Sequence, residues 1–193
     1  MDSAIRAATS ADLERMGALL TVAFAADPFV RWILPDPHVF MQSNYDYARL
    51  NAEPGFAHGA NHIIGDGWGM AIWRPPGVAP DPAALGANMR AYFAPDRIAG
   101  FQALLAACEP YHPHEPHWHL SLIAVDPAYR GRGLGGRLLE HGLGVCDRDG
   151  LPVYLESTNP RNLTVYQRQG FEILAEVRID GLPSRYPMWR PTR

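Results

Sequence analysis

Apolar positions along the chain recur with two different periods. In the first part, Leu13, Met16, Leu19, Leu20, Ala23 and Phe24 keep helical spacing, and Thr9 with Asp12 three residues on is a helix-start signal. Asp27-Pro28 ends that helix. Residues 29–34 predict a short second helix, stopped by Pro35-Asp36-Pro37, and a third runs from about 39 to 50 with Phe40, Tyr45 and Tyr47 as its aromatics. Residues 4–7 predict a first strand. Residues 62–64 and 68–73 predict two more, joined by the hairpin signal Gly65-Asp66-Gly67 and ended by Pro75-Pro76. From 80 to 108 the pattern is helical again, broken near Pro95. Residues 109–116 hold three prolines and two histidines with Glu109, Tyr111 and Glu115, which predicts an exposed, stiff connector.

In the last part, 117–125 alternate as a strand. His117, His119, Ser121 and Ile123 fall on one side; Trp118, Leu120, Leu122 and Ala124 fall on the other. Leu134, Leu138, Leu139, Gly142 and Val145 then mark a helix ending near Gly150. Residues 152–156 predict a strand, Asn159-Pro160 opens a short helix that Gly170 closes, and 171–177 and 186–189 complete a sheet. There are no internal repeats.

Composition narrows the class. The 193 residues suit one domain with a real core. No apolar run reaches the ~18 residues of a membrane helix and no leader pattern opens the chain, so a cytoplasmic protein without membrane partners is expected. Net charge is −3, and outside residues 130–137 the basic residues are scattered, which gives no support to nucleic-acid binding. All seventeen basic residues are arginine, so every lysine-based mechanism is excluded. Cys108 and Cys146 lack metal-ligand spacing, and Cys146 lies on the apolar stripe of its helix as a buried thiol. His112, His114 and His117 resemble a metal cluster by count alone, and no metal is expected.

The chemistry concentrates in Arg130-Gly131-Arg132-Gly133-Leu134-Gly135-Gly136, where a strand hands over to a helix. Glycines there leave backbone N–H groups open to close approach at the positive end of a helix dipole, a site for phosphate. Gly131, Gly133 and Gly136 also satisfy the dinucleotide pattern G-x-G-x-x-G, with Glu156 near the place of a ribose ligand. Five residues separate Val125 from the first glycine, however, where a dinucleotide fold allows almost none. The alternative pattern is R-x-x-G-x-G, met by Arg130, Gly133 and Gly135. With a parallel strand after the helix, then Asn162 and Tyr166-x-x-x-Gly170-Phe171, it resembles the GNAT superfamily of N-acetyltransferases over about residues 118–177. Runs at 6–9, 23–26, 117–125, 155–157, 160–163 and 166–171 are similar to the puromycin N-acetyltransferase-like branch.

The resemblance implies a fold, a donor and roles. The fold is α/β: a mixed, mostly antiparallel sheet with a splayed parallel strand pair, flanked by helices. It forms a single domain over 1–193, with 1–116 on the acceptor side and 117–193 the acetyl-CoA-binding half. Acetyl-CoA is the implied acetyl donor, its pyrophosphate cradled by Arg130, Gly131, Arg132, Gly133, Leu134, Gly135 and Gly136. Its pantetheine arm would pair with Ile123, Ala124 and Val125, and the Val125 amide would face the thioester carbonyl. Tyr166 is the implied general acid, and Asn162 contacts the coenzyme. His119, Glu156 and water remain alternatives as the proton acceptor. The implied acceptor is a small-molecule primary amine, puromycin-like or other, served by a monomer or homodimer. A non-catalytic sensor of the same fold and a protein or peptide amine acetyltransferase are the other readings.

Overall fold

The computed structural model describes residues 4–193. Seven strands form one sheet: β1 (Ile5–Ala7), β2 (His62–Ile64), β3 (Gly69–Arg74), β4 (Trp118–Val125), β5 (Val153–Ser157), β6 (Glu172–Ile173) and β7 (Tyr186–Arg190). Their order is β1-β2-β3-β4-β5-β7-β6. Only β4 and β5 run parallel among these pairs, and the helix between them, α6 (Leu134–Arg148), is the crossover a parallel pair needs. The mixed α/β sheet expected from the sequence is the one observed.

The remaining helices are α1 (Leu13–Phe24), α2 (Pro28–Ile33), α3 (Pro37–Phe56), α4 (Pro82–Tyr92), α5 (Pro95–Cys108) and α7 (Leu163–Arg168). Several prolines that look like breakers prove to be starters. Asp27, Asp36 and Asp81 are N-caps whose carboxylates accept backbone amides at 2.8–3.0 Å, each with proline at the next position. Each such cap contributes about 1 kcal/mol. Helix α3 runs six residues past its expected end at Leu50. Its Ala48, Asn51, Ala52 and Gly55 are buried, and Asn61 pins the last turn, donating to the Ala52 carbonyl at 2.7 Å while accepting from the Trp73 amide at 3.2 Å. The strand expected over 171–177 is confined to Glu172–Ile173, with an isolated bridge between Val177 and Arg185. Its later apolar residues, Ala175 and Val177, turn instead into a cluster with Phe29, Leu104 and Cys108 from α2 and α5.

Two layers cover the sheet. Leu134, Leu138, Leu139, Leu143 and Cys146 of α6 pack on Trp73, Trp118, Leu120, Val153 and Leu155. Helices α1 and α3 cover the other face, packing Met16, Leu19, Leu20, Ala48 and Ala52 on Ile63, Met70, Ile72 and Ala124. Both cysteines are buried free thiols. No helix among the described residues is long and apolar enough to cross a membrane.

One local irregularity corrects the expected alternation of β4. Trp73 pairs with Leu120 and Ile72 with Leu122, so Ser121 is an extra residue with no partner on β3. The bulge shifts the phase. Trp118 and Leu120 face α6, as do Ile123 and Val125, while Ala124 and Leu122 join the α1–α3 core. His119 and Ile123 therefore do not share a face.

Candidate active site

At the end of β4, Asp126 caps a short turn over Pro127–Tyr129, accepting from the Ala128 amide at 2.8 Å. Tyr129 stacks on Trp68 with ring centres 5.1 Å apart, and the Arg132 guanidinium lies 5.0 Å above Tyr129. Arg130 donates to the Ala23 carbonyl at 2.8 Å, tying the loop to the end of α1. Gly131 and Gly133 then adopt φ of 76° and 74°, the left-handed region that a side chain disfavours. The first intrahelical bond of α6 runs from the Arg137 amide to the Gly133 carbonyl, so the amides of Leu134, Gly135 and Gly136 have no acceptor within the helix.

Packing does not require these glycines. A Cβ built at Gly131, Gly133 or Gly136 meets nothing within 4 Å, and one at Gly135 meets only the Val125 side chain at 3.6 Å. The open space lies outside the protein's own core, next to free N–H groups and a helix N-terminus. A pyrophosphate fits that place.

Beside this loop the parallel pair opens. Pairing between β4 and β5 extends from Trp118–Val153 to Leu120–Leu155 and no further, although β4 continues to Val125 and β5 to Ser157. The β5-facing edge of Ile123, Ala124 and Val125 is thus left without a strand partner. The buried Ser121 hydroxyl at the bulge has no hydrogen-bond partner among the described residues. Tyr166 is buried on the α6 side, edge-to-face with Phe171 at 6.0 Å. Burial pushes its phenol up to about 12. Asn162 is exposed on the turn that leads into α7, one helical turn before Tyr166.

The opposite face of the same strands carries a polar cluster that the sequence reading dispersed. Glu156 accepts from the Arg185 guanidinium at 2.8 Å and from the Tyr154 hydroxyl at 3.0 Å. Arg185 in turn lies 4.9 Å from the Phe29 ring. His119 faces Arg74, whose Nη2 lies 3.2 and 3.1 Å from its two ring nitrogens. Burial, and then Arg74, His112 and His117, hold the His119 imidazole well below its usual range. A guanidinium only donates, so the nitrogen of His119 that pairs with Arg74 accepts.

Most of the connector before β4 is exposed, as its prolines suggest, but its histidines at 112 and 117 are half-buried. His112 and His117 fold back against Tyr154 at 4.8 and 5.9 Å between ring centres. With His119 they place three imidazole nitrogens within 4.8 Å of one another. The set resembles a metal-ligand triad in geometry, but Arg74 puts a permanent positive charge against it, which opposes a cation. These groups line a cavity of about 620 Å³ bounded by Arg74, residues 75–79, residues 112–117 and His119. Arg74, Arg185, Tyr154 and the Ser121 bulge were not among the expected site residues. Among the described contacts none joins Tyr166 directly to His119 or Glu156.

Comparison with known proteins agrees with this geometry. The sequence profile of the Acetyltransferase (GNAT) family matches residues 81–171. A solved structure from Corynebacterium glutamicum, "histone acetyltransferase HPA2 and related acetyltransferase", is 30% identical, with TM-score 0.71, covering 100% of this chain and 98% of that one. The polyamine N-acetyltransferase of Drosophila melanogaster shares the fold at 20% identity and TM-score 0.66, covering 97% and 98% of the two chains. The peptidyl-lysine N-acetyltransferase YjaB of Salmonella typhimurium is 30% identical over 70 residues, 36% of this chain and 47% of its own. The chain spans less than half the length of the curated relatives it matches first. A parallel strand pair that opens beside a glycine-rich helix start, matched along the whole chain by a relative of this kind, makes the protein a member of the GNAT acetyltransferase family.

Proposed function

We propose that the protein moves the acetyl group of acetyl-CoA to a primary amine of a small molecule, by direct attack in a ternary complex. The observation that carries this reading is the opening of β4 from β5 after Leu120 and Leu155, one end of which leads to the free amides of the α6 start. Those amides and the glycines from Gly131 to Gly136 suit the coenzyme's pyrophosphate. The unpaired edge of Ile123, Ala124 and Val125 suits the pantetheine arm, with the Val125 N–H donating to the thioester carbonyl as charge develops on it.

In this reading the neutral amine attacks the thioester carbon, the C–N bond forms, and collapse of the tetrahedral adduct breaks the C–S bond. Tyr166 gives its phenolic proton to the departing thiolate. A phenol at about 12 is a weak acid, but burial raises thiols in this protein to a similar level, Cys108 to about 11 and Cys146 to about 12. A coenzyme thiolate shut off from water beside Tyr166 would be raised by the same cause, which lets it take the phenolic proton. We assign removal of the amine proton to Glu156: its carboxylate keeps acceptor sites beyond those taken by Arg185 and Tyr154, whereas the one acceptor nitrogen of neutral His119 is engaged by Arg74. The Asn162 side chain completes the coenzyme contacts.

A compact, partly apolar amine suits this site, because Phe29 and Phe101 pack on Arg185 and Tyr154 bonds Glu156. Thiol release from acetyl-CoA tests the proposal, measured across aminonucleosides, aminoglycosides, polyamines, amino acids and lysine peptides. Amine-dependent release with small amines supports it. Coenzyme binding with no release on any amine would favour a sensor, and release confined to peptides would favour a protein acceptor.

A further inference from the structure

A buried arginine needs a counter-charge, because an unpaired guanidinium taken out of water costs several kcal/mol. Two deeply buried arginines here follow the rule. Arg190, 2% exposed, holds Asp147 at 2.6 and 2.9 Å, and Arg185, 9% exposed, holds Glu156 at 2.8 Å. Arg74 does not. No carboxylate among the described residues lies at ion-pair distance from it, its Nε is buried without a partner, and its one side-chain contact is with His119, a neutral acceptor. Burial accordingly pulls its guanidinium below the usual range, with Tyr47 and Glu156 acting only at longer range in the other direction.

The surroundings supply no compensating negative charge at close range. Arg74 lines the cavity of about 620 Å³ together with His112, His117 and His119, and its only acid is the exposed Glu115. Nearby Glu156 is already bonded to Arg185 and Tyr154. Glu156 is thus matched to Arg185, and the charge of Arg74 sits without a carboxylate partner at the wall of an open cavity.

We propose that Arg74 recognises a carboxylate on the acceptor, so that the substrate is an amine that also bears an acidic group. The inference rests on the acetyl-transfer reading and names its substrate class. Register adds a constraint on shape. Arg74 pairs with His119, six residues before Val125, and a strand advances ~3.3 Å per residue. With the thioester near Val125, the carboxylate and the amine of the acceptor are separated by a spacer and do not share one carbon. A planar carboxylate suits the fork of a guanidinium better than a point anion does.

Matched pairs of compounds test this: ω-amino acids and arylalkyl amino acids of increasing length, each beside its primary amide. Binding is measured by calorimetry in the presence of coenzyme A, and kcat/KM by thiol release. Each carboxylate at the favoured spacing should bind the wild-type protein about 10- to 100-fold tighter than its amide. Arg74→Gln should abolish that difference while leaving the KM for acetyl-CoA unchanged. Arg74→Lys should retain part of it, which separates a lost charge from a disturbed fold. Equal binding of acids and amides to the wild type, or a preference that survives Arg74→Gln, would overturn the proposal. Because binding is read separately from turnover, a carboxylate preference without thiol release would sink the acetyl-transfer reading and leave the subsite standing.

Discussion

Gly135 lies in the first turn of α6, where its amide is among those with no acceptor inside the helix. Nothing in the protein itself asks for glycine at this place. A Cβ there would touch only Val125 at 3.6 Å, an ordinary van der Waals contact, and no left-handed φ is involved. Alanine is a better helix former than glycine by up to about 1 kcal/mol. Gly135→Ala should therefore leave the protein alone as stable or more stable, raising Tm by about 2–4 °C at most. Under the proposed reading, the same methyl group stands where the coenzyme's pyrophosphate approaches the helix start. Losing one charge-assisted hydrogen bond costs about 1.5–3 kcal/mol, which corresponds to about a 10- to 100-fold rise in Kd for coenzyme A. Gly133→Ala provides the contrast. Its φ of +74° makes a side chain cost about 1–2 kcal/mol in folding, so stability and binding should fall together. Thermal unfolding without ligand and calorimetric titration with coenzyme A measure the two quantities. If Gly135→Ala bound coenzyme A as tightly as the wild type, the phosphate site would not be at this helix start.

Other expectations follow from single residues. Tyr166→Phe should lower turnover about 100-fold or more while leaving the acetyl-CoA KM nearly unchanged, since the ring still packs on Phe171; undiminished turnover removes its role as acid. Gly142→Ala places a methyl against the Trp73 indole with no room, and overpacking should cost about 1–3 kcal/mol, read as a lower urea midpoint. His62 is buried with its Nδ1 unpartnered, and burial, then His141, pushes it down to about 4. From about pH 6.5 to 4 the unfolded chain takes up a proton that the folded one refuses, so stability should fall as pH drops through that window. In His62→Gln that slope should flatten, and parallel pH profiles of the two proteins would contradict the assignment.

Much of this architecture was legible because local signals and burial agree. The Gly65-Asp66-Gly67 turn, the stripe of α6 and the Asn159-Pro160 helix start each rest on chemistry within a few residues of sequence. The glycine-rich helix start was legible for the same reason: a strand, a glycine loop and a helix are contiguous. The polar cluster was not, because its members come from five elements distant in sequence. Arg74 reads as the polar end of an apolar strand before two prolines, and Arg185 lies in a loop with no periodicity at all. His112 and His117 looked solvated beside their prolines, and only the fold turns them onto Tyr154. The Ser121 bulge is invisible to an alternation rule, since one extra residue leaves the apolar composition intact while exchanging the faces. An inward-pointing charge at a strand end, at positions 70, 72 and 74 taken together, was the one available hint of Arg74.

The central claim is that an acetyl group passes directly from coenzyme A to an amine. Isotopically labelled acetyl-CoA, the protein and an accepted amine, followed by mass spectrometry of both amine and protein, measure it most directly. The account predicts labelled N-acetyl product equal in amount to the thiol released, with no label on Cys108, Cys146 or any other protein side chain. Label accumulating on the protein, or thiol released without acetylated amine, would contradict it.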